Sequence, residues 1–426
     1  MRSTRLRVRS ELRASKALPA LDNIFILRLV FLFTGQFALY EGFQDWNRGR
    51  ADLHPEVAVL TLAVYAVSLM ILALSLMPNS VVLKFRHFPL VPFTLATLTG
   101  VYVVAEIAYK GSYRTDVLAF SQYAAMLFTN HGLNPYLQDM SRSLTIFAVQ
   151  ASDLTPLTSG TFTTTFQYPA LQFLVFVPFV SLGLKDMRWV LVAFELGVLF
   201  TLYLRSPASL RPMIILPMFA GSDLMINFTA SSVTDMLWVL PLLFAAFNLK
   251  KPLASGLFYG LACSFKQIPW LLAPFLLVYL FRSEDVIVRE RLLKISKFAV
   301  ATGVVFLGLN LPFIVGAPGI WFSNVLTPIS ADLVILSQGP SVLTQAGVLP
   351  VGRMFYTVLA IAVLLTLIVN FYVYFDKLKF VFWIFPGIIL WFSYRSLTNY
   401  VIYWLPLMLA SLILWYRSER GGANSP

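Results

Sequence analysis

The sequence is poor in charged residues and in cysteine. Only 12% of its 426 residues are Asp, Glu, Lys or Arg, about half of what a soluble domain carries. A chain with so little charge could not cover a folded surface with polar groups in water. The single cysteine, Cys263, excludes a disulfide framework. These shortages exclude an ordinary soluble domain and a disulfide-stapled one.

Several catalytic and metal-binding patterns are also missing. The three histidines, His54, His87 and His131, are scattered, and no His, Cys or carboxylate group has the spacing of a metal site. No glycine-rich phosphate loop follows a strand pattern, which excludes a soluble nucleotide-binding fold. No G-x-S-x-G motif is present either. The sequence therefore identifies no specific cofactor, and it leaves a divalent cation open without support from ligand spacing.

Long apolar runs are abundant instead. Apolar residues make up 58% of the chain and its mean hydropathy is +0.76, and a membrane span needs about 20 mostly apolar residues. The runs predict an all-α polytopic transmembrane bundle of about thirteen spans, within 11–14. Prolines in or beside some runs predict bends and half-membrane segments. The runs cover residues 24–42, 56–77, 89–109, 168–184, 188–204, 213–227, 233–249, 253–265, 268–281, 297–315, 354–375, 379–394 and 399–416.

The basic residues predict how the chain lies in the membrane. The net charge is +12, concentrated at the N-terminus and in short loops, which is typical of cytoplasmic segments. We expect contact with membrane lipids and no nucleic acid, although a basic arm that binds RNA or anionic lipid is the alternative. The predicted segments are a cytoplasmic N-terminus (1–22), one transmembrane domain (23–416) and a cytoplasmic tail (417–426).

Two long connections interrupt the apolar runs. Residues 110–167 and 316–353 are rich in Ser, Thr, Gly, Pro and Asn, and long loops in a compact protein are more often functional than accidental. Counting spans from either terminus puts both loops on the non-cytoplasmic face. The two counts disagree between residues 168 and 281, so one segment there is either re-entrant or miscounted.

The first long connection contains the outstanding polar segment. Thr115 and Asp116 predict a helix start, and residues 117–128 predict an amphipathic helix in the membrane interface that stops near Gly132. Asn134 then begins a turn. This pattern puts one carboxylate at the membrane surface beside a long polar loop. Its alternative role is to cap the helix.

Other polar residues interrupt or border the apolar runs. Gln167 and Tyr168 lie at the start of one run, Lys266 separates two, and Arg395 and Asn399 lie where the last run begins. Such residues are costly in lipid and usually face a cavity or a site. Lys266 is equally well explained as a snorkelling loop residue or as a cation beside a phosphate. Arg395 is either an ordinary loop arginine or a ligand.

At these residues the chain resembles the GT-C superfamily of membrane glycosyltransferases, and within it family 87 and its mannosyltransferase-like bacterial relatives. The resemblance covers roughly residues 89–281 by motif. It departs from the family in having two spans before the one that leads to Asp116, and a lone Asp in place of an acidic pair, unless Glu106 contributes. The matching residues are Thr115, Asp116, Tyr123, Ala124, Ala125, Gly132, Asn134, Pro135, Tyr136, Tyr168, Pro169 and Pro178, with Gly256 through Lys266, Gln267 and Pro269 to Leu277.

The resemblance implies an inverting hexosyltransferase of the bacterial plasma membrane. Its donor would be a mannose-like or glucose-like sugar on polyprenyl phosphate, and its acceptor a lipid, glycan or protein on the non-cytoplasmic face. Asp116 would be the general base, and Lys266 and Arg395 would bind the donor phosphate. The alternative function is a transporter or flippase of lipid-linked sugars, although no internal repeat of the transporter kind is visible. The candidates for acceptor or sugar binding are Glu106, Tyr123, Asn134, Tyr136, Gln167, Tyr168 and Asn399.

Overall fold

The computed structural model describes residues 23–49, 55–88, 90–109, 113–207, 211, 225–283 and 287–423. Within these ranges the chain is helical apart from turns, loops and a pair of two-residue parallel strands, β1 (Leu336–Ser337) and β2 (Arg395–Ser396). Short 3₁₀ helices cover Pro135–Leu137, Ala151–Asp153, Ile268–Leu272 and Phe382–Ile384. The α-helices are α1 (Asn23–Gly49), α2 (Pro55–Ser75), α3 (Asn79–Lys84), α4 (Leu90–Tyr109), α5 (Asp116–His131), α6 (Ser141–Ile146), α7 (Leu171–Leu174), α8 (Val177–Ser181), α9 (Arg188–Arg205), α10 (Met236–Phe247), α11 (Pro252–Phe265), α12 (Ala273–Arg282), α13 (Val288–Gly316), α14 (Pro318–Val325), α15 (Thr327–Ser330), α16 (Val342–Gln345), α17 (Arg353–Val373), α18 (Phe375–Leu378), α19 (Phe385–Trp391), α20 (Asn399–Ile402) and α21 (Leu405–Ala423).

Five helical segments in the described residues are long and apolar enough to cross a membrane. They indicate an integral membrane protein, and the all-α prediction is confirmed. Five full-length spans are fewer than the predicted thirteen, because several apolar runs form shorter helices of 10–17 residues. The predicted run 213–227 lies mostly outside the described residues, as does the basic segment 1–22. The five long segments are Ile24–Gln44, Val57–Ser75, Val288–Gly316, Arg353–Val373 and Asn399–Ser418.

Helix α10 shows that an apolar run can form a short helix buried in protein. Its 12 residues extend about 18 Å at 1.5 Å per residue, well short of a hydrocarbon core about 30 Å thick. Its side chains face protein, since Leu237, Trp238, Leu242 and Leu243 are fully buried. An apolar run cannot by itself distinguish burial in protein from burial in lipid.

The chain divides into two compact units, residues 1–100 with 207–220, and residues 101–206 with 221–426. In the first unit, α1 and α2 pack closely at two glycines of α1. A Cβ added at Gly35 would lie 2.8 Å from Leu72 Cγ, and one at Gly42 would lie 3.0 Å from the Tyr65 ring. Small residues at a helix interface allow this approach.

The second unit contains a similar close packing between α11 and α13. Gly256 and Gly260 form a G-x-x-x-G pattern on α11. A Cβ added at Gly256 would lie 2.4 Å from the Phe298 carbonyl oxygen, and one at Gly260 would lie 2.8 Å from that of Thr302. The Thr302 hydroxyl also donates to the Gly256 carbonyl at 3.1 Å. The two glycines therefore bring two helix backbones into contact.

Basic residues gather at one end of the helices of this unit, called here the basic end. The Arg205 guanidinium at the end of α9 lies 5.7 Å from the Phe247 ring at the end of α10. The Arg282 guanidinium at the end of α12 lies 5.1 Å from the Tyr372 ring near the end of α17, and Arg417 of α21 donates to the Arg205 carbonyl. The basic end comprises Arg205, Lys250, Lys251, Arg282, Arg289, Arg291, Lys294, Lys377, Lys379 and Arg417.

Residues 168–184 turn back at one end of the second unit, as a re-entrant segment would. Near its start, Gln172 Nε2 donates to Thr234 Oγ1 at 2.7 Å. Just past its end, Gln122 Nε2 of α5 donates to the Lys185 carbonyl at 2.9 Å, and the Arg188 side chain donates to the Ala230 carbonyl. The segment thus begins and ends near the start of α10, so helices α7 and α8 do not cross the bundle. The start of α10 lies opposite the basic end and is called here the polar end.

The two long connections meet through backbone hydrogen bonds at the polar end. The Thr158 amide donates to the Asp332 carbonyl at 2.8 Å, and the Val334 amide to that of Pro156 at 3.1 Å. Helix α5 forms as predicted from Asp116, but it is not an amphipathic interfacial helix. Its residues 116–125 and Leu127 are buried, because α6, α7 and α8 pack against it.

Candidate functional site

Asp116 is the first residue of α5, and Thr115 precedes it as the N-cap. The carboxylate is 8% exposed, and its Oδ2 accepts a hydrogen bond from the Thr155 amide at 2.9 Å. Burial raises the pKa of this carboxyl, while the hydrogen bonds from Thr155 and the charge of Arg395 oppose that rise. The result is a carboxylate that holds a proton more strongly than an ordinary aspartate does.

Tyr168 lies in the electrostatic field of this carboxylate. Burial and the negative charge of Asp116 raise the pKa of its phenol well above 10, so the hydroxyl is neutral and able to donate. Its backbone is fixed by Tyr136, whose hydroxyl donates to the Tyr168 carbonyl at 2.6 Å. Tyr136 is itself 2% exposed, so a buried side chain fixes the backbone of Tyr168.

Arg395 approaches the same region from β2. The strand pairs with β1, with Leu336 opposite Arg395, so the second long connection fixes its backbone. The guanidinium charge acts on both Asp116 and Tyr168. Its Nη1 is buried and has no hydrogen-bond partner among the described residues. A buried, unpaired cationic donor is costly, which indicates a place where an anion could be bound.

The ammonium of Lys266 is not free to bind an anion, although the sequence predicts that Lys266 binds the donor phosphate together with Arg395. Its Nζ lies 2.8 Å from Asp235 Oδ1 in a buried ion pair. Asn399, predicted to bind acceptor or sugar, donates from Nδ2 to the other oxygen of Asp235 at 2.7 Å. Lys266 also lies 5.9 Å from the centroid of the Tyr168 ring. The structure therefore places Lys266 and Asn399 beside the site, but turned toward Asp235.

The remaining predicted residues mostly support the backbone. Asn134 accepts from the Tyr136 amide at 3.1 Å and so starts a 3₁₀ turn. Gln167 is buried, and its carbonyl accepts from Gln267 Nε2 at 2.7 Å. Tyr123 is buried on α5, seven residues beyond Asp116. The side chain of Glu106 lies outside the described residues.

Three residues near the site are not among the predicted ones. Asp235 is the buried partner of Lys266, Thr155 holds Asp116, and Gln267 joins the Gln167 and Val325 carbonyls at 2.7 Å each. Asp235 carries a sequence signal, because it is a carboxylate at the start of an apolar run. Thr155 carries none, since its backbone amide makes the contact.

An apolar groove of about 530 Å³ lies between α11, α12, α13 and α14. Its walls include Cys263, Trp270, Phe298, Phe306 and Trp321. Val325 also lines it, and the Val325 carbonyl accepts from Gln267, the residue after Lys266. The groove therefore has one wall next to the polar end.

The described residues contain no group of three or more His, Cys, Asp or Glu side chains able to hold a metal ion. Comparisons with protein-family models, curated proteins and solved structures gave no significant match. Fold and geometry define the class instead. The chain is a helical membrane protein with a buried polar cluster at one end of its second unit.

Proposed function

We propose that this protein is a GT-C-like membrane glycosyltransferase. It transfers a hexose from a polyprenyl-phosphate-linked donor to a lipid, glycan or protein hydroxyl on the non-cytoplasmic face of a bacterial plasma membrane. The supporting observation is the combination of a buried carboxylate, Asp116, with a buried, unpaired guanidinium nitrogen of Arg395. Their charges interact without forming an ion pair among the described residues.

Asp116 suits the role of general base better than Asp235, the buried carboxylate that pairs with Lys266. Asp235 is fully buried and accepts from Lys266, Trp238 and Asn399, so its oxygens are occupied. Asp116 is partly reachable and has a raised pKa. A base is most effective when its pKa approaches the working pH.

The reaction needs a single displacement. The acceptor oxygen forms a bond to the anomeric carbon of the sugar, and its proton passes to Asp116. The bond between that carbon and the phosphate oxygen breaks, and polyprenyl phosphate leaves with the electron pair. One accessible carboxylate suffices for this step, and the anomeric configuration inverts. Arg395 would stabilise the negative charge that grows on the phosphate.

The apolar groove suits the lipid part of such a donor. It is lined by apolar and aromatic side chains of the helices around α13, and it starts near Gln267 at the polar end. A polyprenyl chain in this groove would bring its phosphate close to the membrane surface. The basic end, in turn, is expected on the cytoplasmic side, which puts the polar end on the opposite face.

The decisive experiment is release of polyprenyl phosphate. The full-length protein in lipid nanodiscs would be given polyprenyl-phosphate mannose or glucose with candidate acceptors, and the released lipid phosphate would be measured. We expect release by the wild-type protein and a loss of at least about tenfold in Asp116→Asn, since general base catalysis contributes roughly 10²–10⁴-fold. A transporter of lipid-linked sugars would move the donor across vesicles without releasing the phosphate, and that result would overturn the proposal.

A further inference from the structure

Asp235 is the most completely buried carboxylate near the site. It directly precedes α10 and is 0% exposed. Its Oδ1 accepts from Lys266 Nζ and Trp238 Nε1 at 2.8 Å each, and its Oδ2 accepts from Asn399 Nδ2 at 2.7 Å. A buried charge persists only when it is paired and hydrogen-bonded, and these three donors meet that requirement.

The three donors come from separate parts of the chain. Trp238 belongs to α10, Lys266 follows α11, and Asn399 begins α20. Asp235 therefore ties the tip of the α11–α12 hairpin to the segment that follows Arg395. Lys266 extends this link, because its ammonium also lies over the ring of Tyr168.

The charge of Lys266 is already matched. To bind a phosphate, its ammonium would have to leave a fully buried carboxylate without a counter-charge, and breaking a buried pair in this way is strongly destabilising. Arg395 faces no such cost, since its buried Nη1 has no partner among the described residues.

We propose that Asp235 is a positioning residue that holds Lys266 over the Tyr168 ring and anchors Asn399, and that Arg395, rather than Lys266, binds the donor phosphate. This inference rests on the proposed function for the identity of the anion. The arrangement of Asp235, Lys266 and Asn399 does not depend on it.

The first test needs no substrate. Melting temperatures of the full-length protein in nanodiscs would be compared for Asp235→Asn, Lys266→Met and the double variant. Each single variant leaves one buried charge unmatched, so each should lower the melting temperature. The double variant removes both charges, so its melting temperature should fall by clearly less than the sum of the decreases in the two single variants. Additive losses would overturn the positioning role, whatever the transfer assay shows.

The second test separates positioning from phosphate binding. A hydrogen bond to a charged group contributes about 1.5–3 kcal/mol, or roughly 10- to 100-fold in affinity. Arg395→Ala should therefore raise the donor KM roughly 10- to 100-fold. The double variant Asp235→Asn with Lys266→Met should keep a donor KM within about threefold of wild type, a difference below one such bond. Its loss of activity should appear mainly as a lower kcat, because the Lys266 ammonium no longer lies over the Tyr168 ring.

The outcomes remain separable from those of the proposed function. A donor KM that rises as much in the double variant as in Arg395→Ala would show that Lys266 binds the phosphate, and the inference would fail. Lys266→Arg keeps a cation opposite Asp235 and should recover stability relative to Lys266→Met. A wild-type protein that releases no polyprenyl phosphate would overturn the proposed function alone, because the melting experiment still measures the coupling.

Discussion

At the scale of single residues, the site depends on two opposite charges, those of Asp116 and Arg395, whose side-chain atoms are partly removed from water. Burial removes water from Asp116, which raises the free energy of its charged carboxylate. The hydrogen bond from the Thr155 amide offsets part of that cost. Arg395 contributes a long-range charge but makes no ion pair with it among the described residues. A closer pair would neutralise both groups. Their separation leaves the carboxylate free to accept a proton and the guanidinium free to meet an anion.

The pH dependence of transfer follows from the raised pKa of Asp116. The base acts only when deprotonated, so activity should fall as the pH drops through that raised pKa. We expect the acid limb of kcat/KM to lie above the ordinary aspartate pKa of about 3.9, because this parameter reports the free enzyme. Intrinsic fluorescence at each pH would verify that the protein stays folded. An acid limb at or below the ordinary value would contradict burial as the dominant influence.

At the scale of elements, glycine decides how closely α11 and α13 pack. Gly256→Ala would place a methyl group against the Phe298 carbonyl oxygen, and overpacking of this kind typically costs about 1–3 kcal/mol. A Cβ at Gly308 of α13 would meet nothing within 4 Å. Gly308→Ala is therefore the matched control and should be neutral or stabilising by up to about 1 kcal/mol. Thermal unfolding in nanodiscs would compare them, and equal effects would contradict the close packing.

The same elements show what the sequence could predict. The start of α5 followed from Thr115 and Asp116, and its end from Gly132, whose φ of 62° suits glycine. The ion pair between Asp235 and Lys266 could not be predicted, because 31 residues separate them and only tertiary packing brings them together. The burial of α5 on all sides was missed for the same reason, since its covering helices come later in the chain.

The junction of the two long connections should be testable by cross-linking. Leu157 and Leu333 form an antiparallel bridge, flanked by the hydrogen bonds of Thr158 and Val334. This is the non-hydrogen-bonded kind of pair, with Cα atoms about 4.5 Å apart, a spacing that a disulfide spans. We expect Leu157→Cys with Leu333→Cys to cross-link under oxidising conditions. The bond would join the connection that holds Asp116 to the one that leads to β1.

The matched control for this cross-link lies within the first connection. Pro156 and Phe162 also form an antiparallel bridge, so a cysteine pair there would staple one loop without joining the two. If substrates enter by separating the connections, oxidation should abolish transfer only in the Leu157 and Leu333 pair, and reduction should restore it. Failure of that pair to cross-link, seen by gel shift, would contradict the junction itself.

At the scale of the whole molecule, the second unit separates its charges by function. Positive charge gathers at the basic end, whereas the buried carboxylates Asp116 and Asp235 lie at the polar end. The asymmetry follows from one feature of topology. Helices α9 and α10 both begin at the polar end and end at the basic end, and α11 runs back, so Lys266 returns to the end that carries Asp116.

This topology predicts which residues are reachable from each side of the membrane. Lys185 follows the re-entrant segment and is exposed, as are Ser159 in the first connection and Lys250 at the basic end. The native Cys263 is buried, so single cysteines at these positions can be labelled selectively. In intact cells an impermeant maleimide should label Lys185→Cys together with Ser159→Cys, whereas Lys250→Cys should react only after permeabilisation. If Lys185→Cys, like Lys250→Cys, reacted only after permeabilisation, residues 168–184 would have to cross the membrane. Asp116 and Lys266 could then not share one site at the polar end.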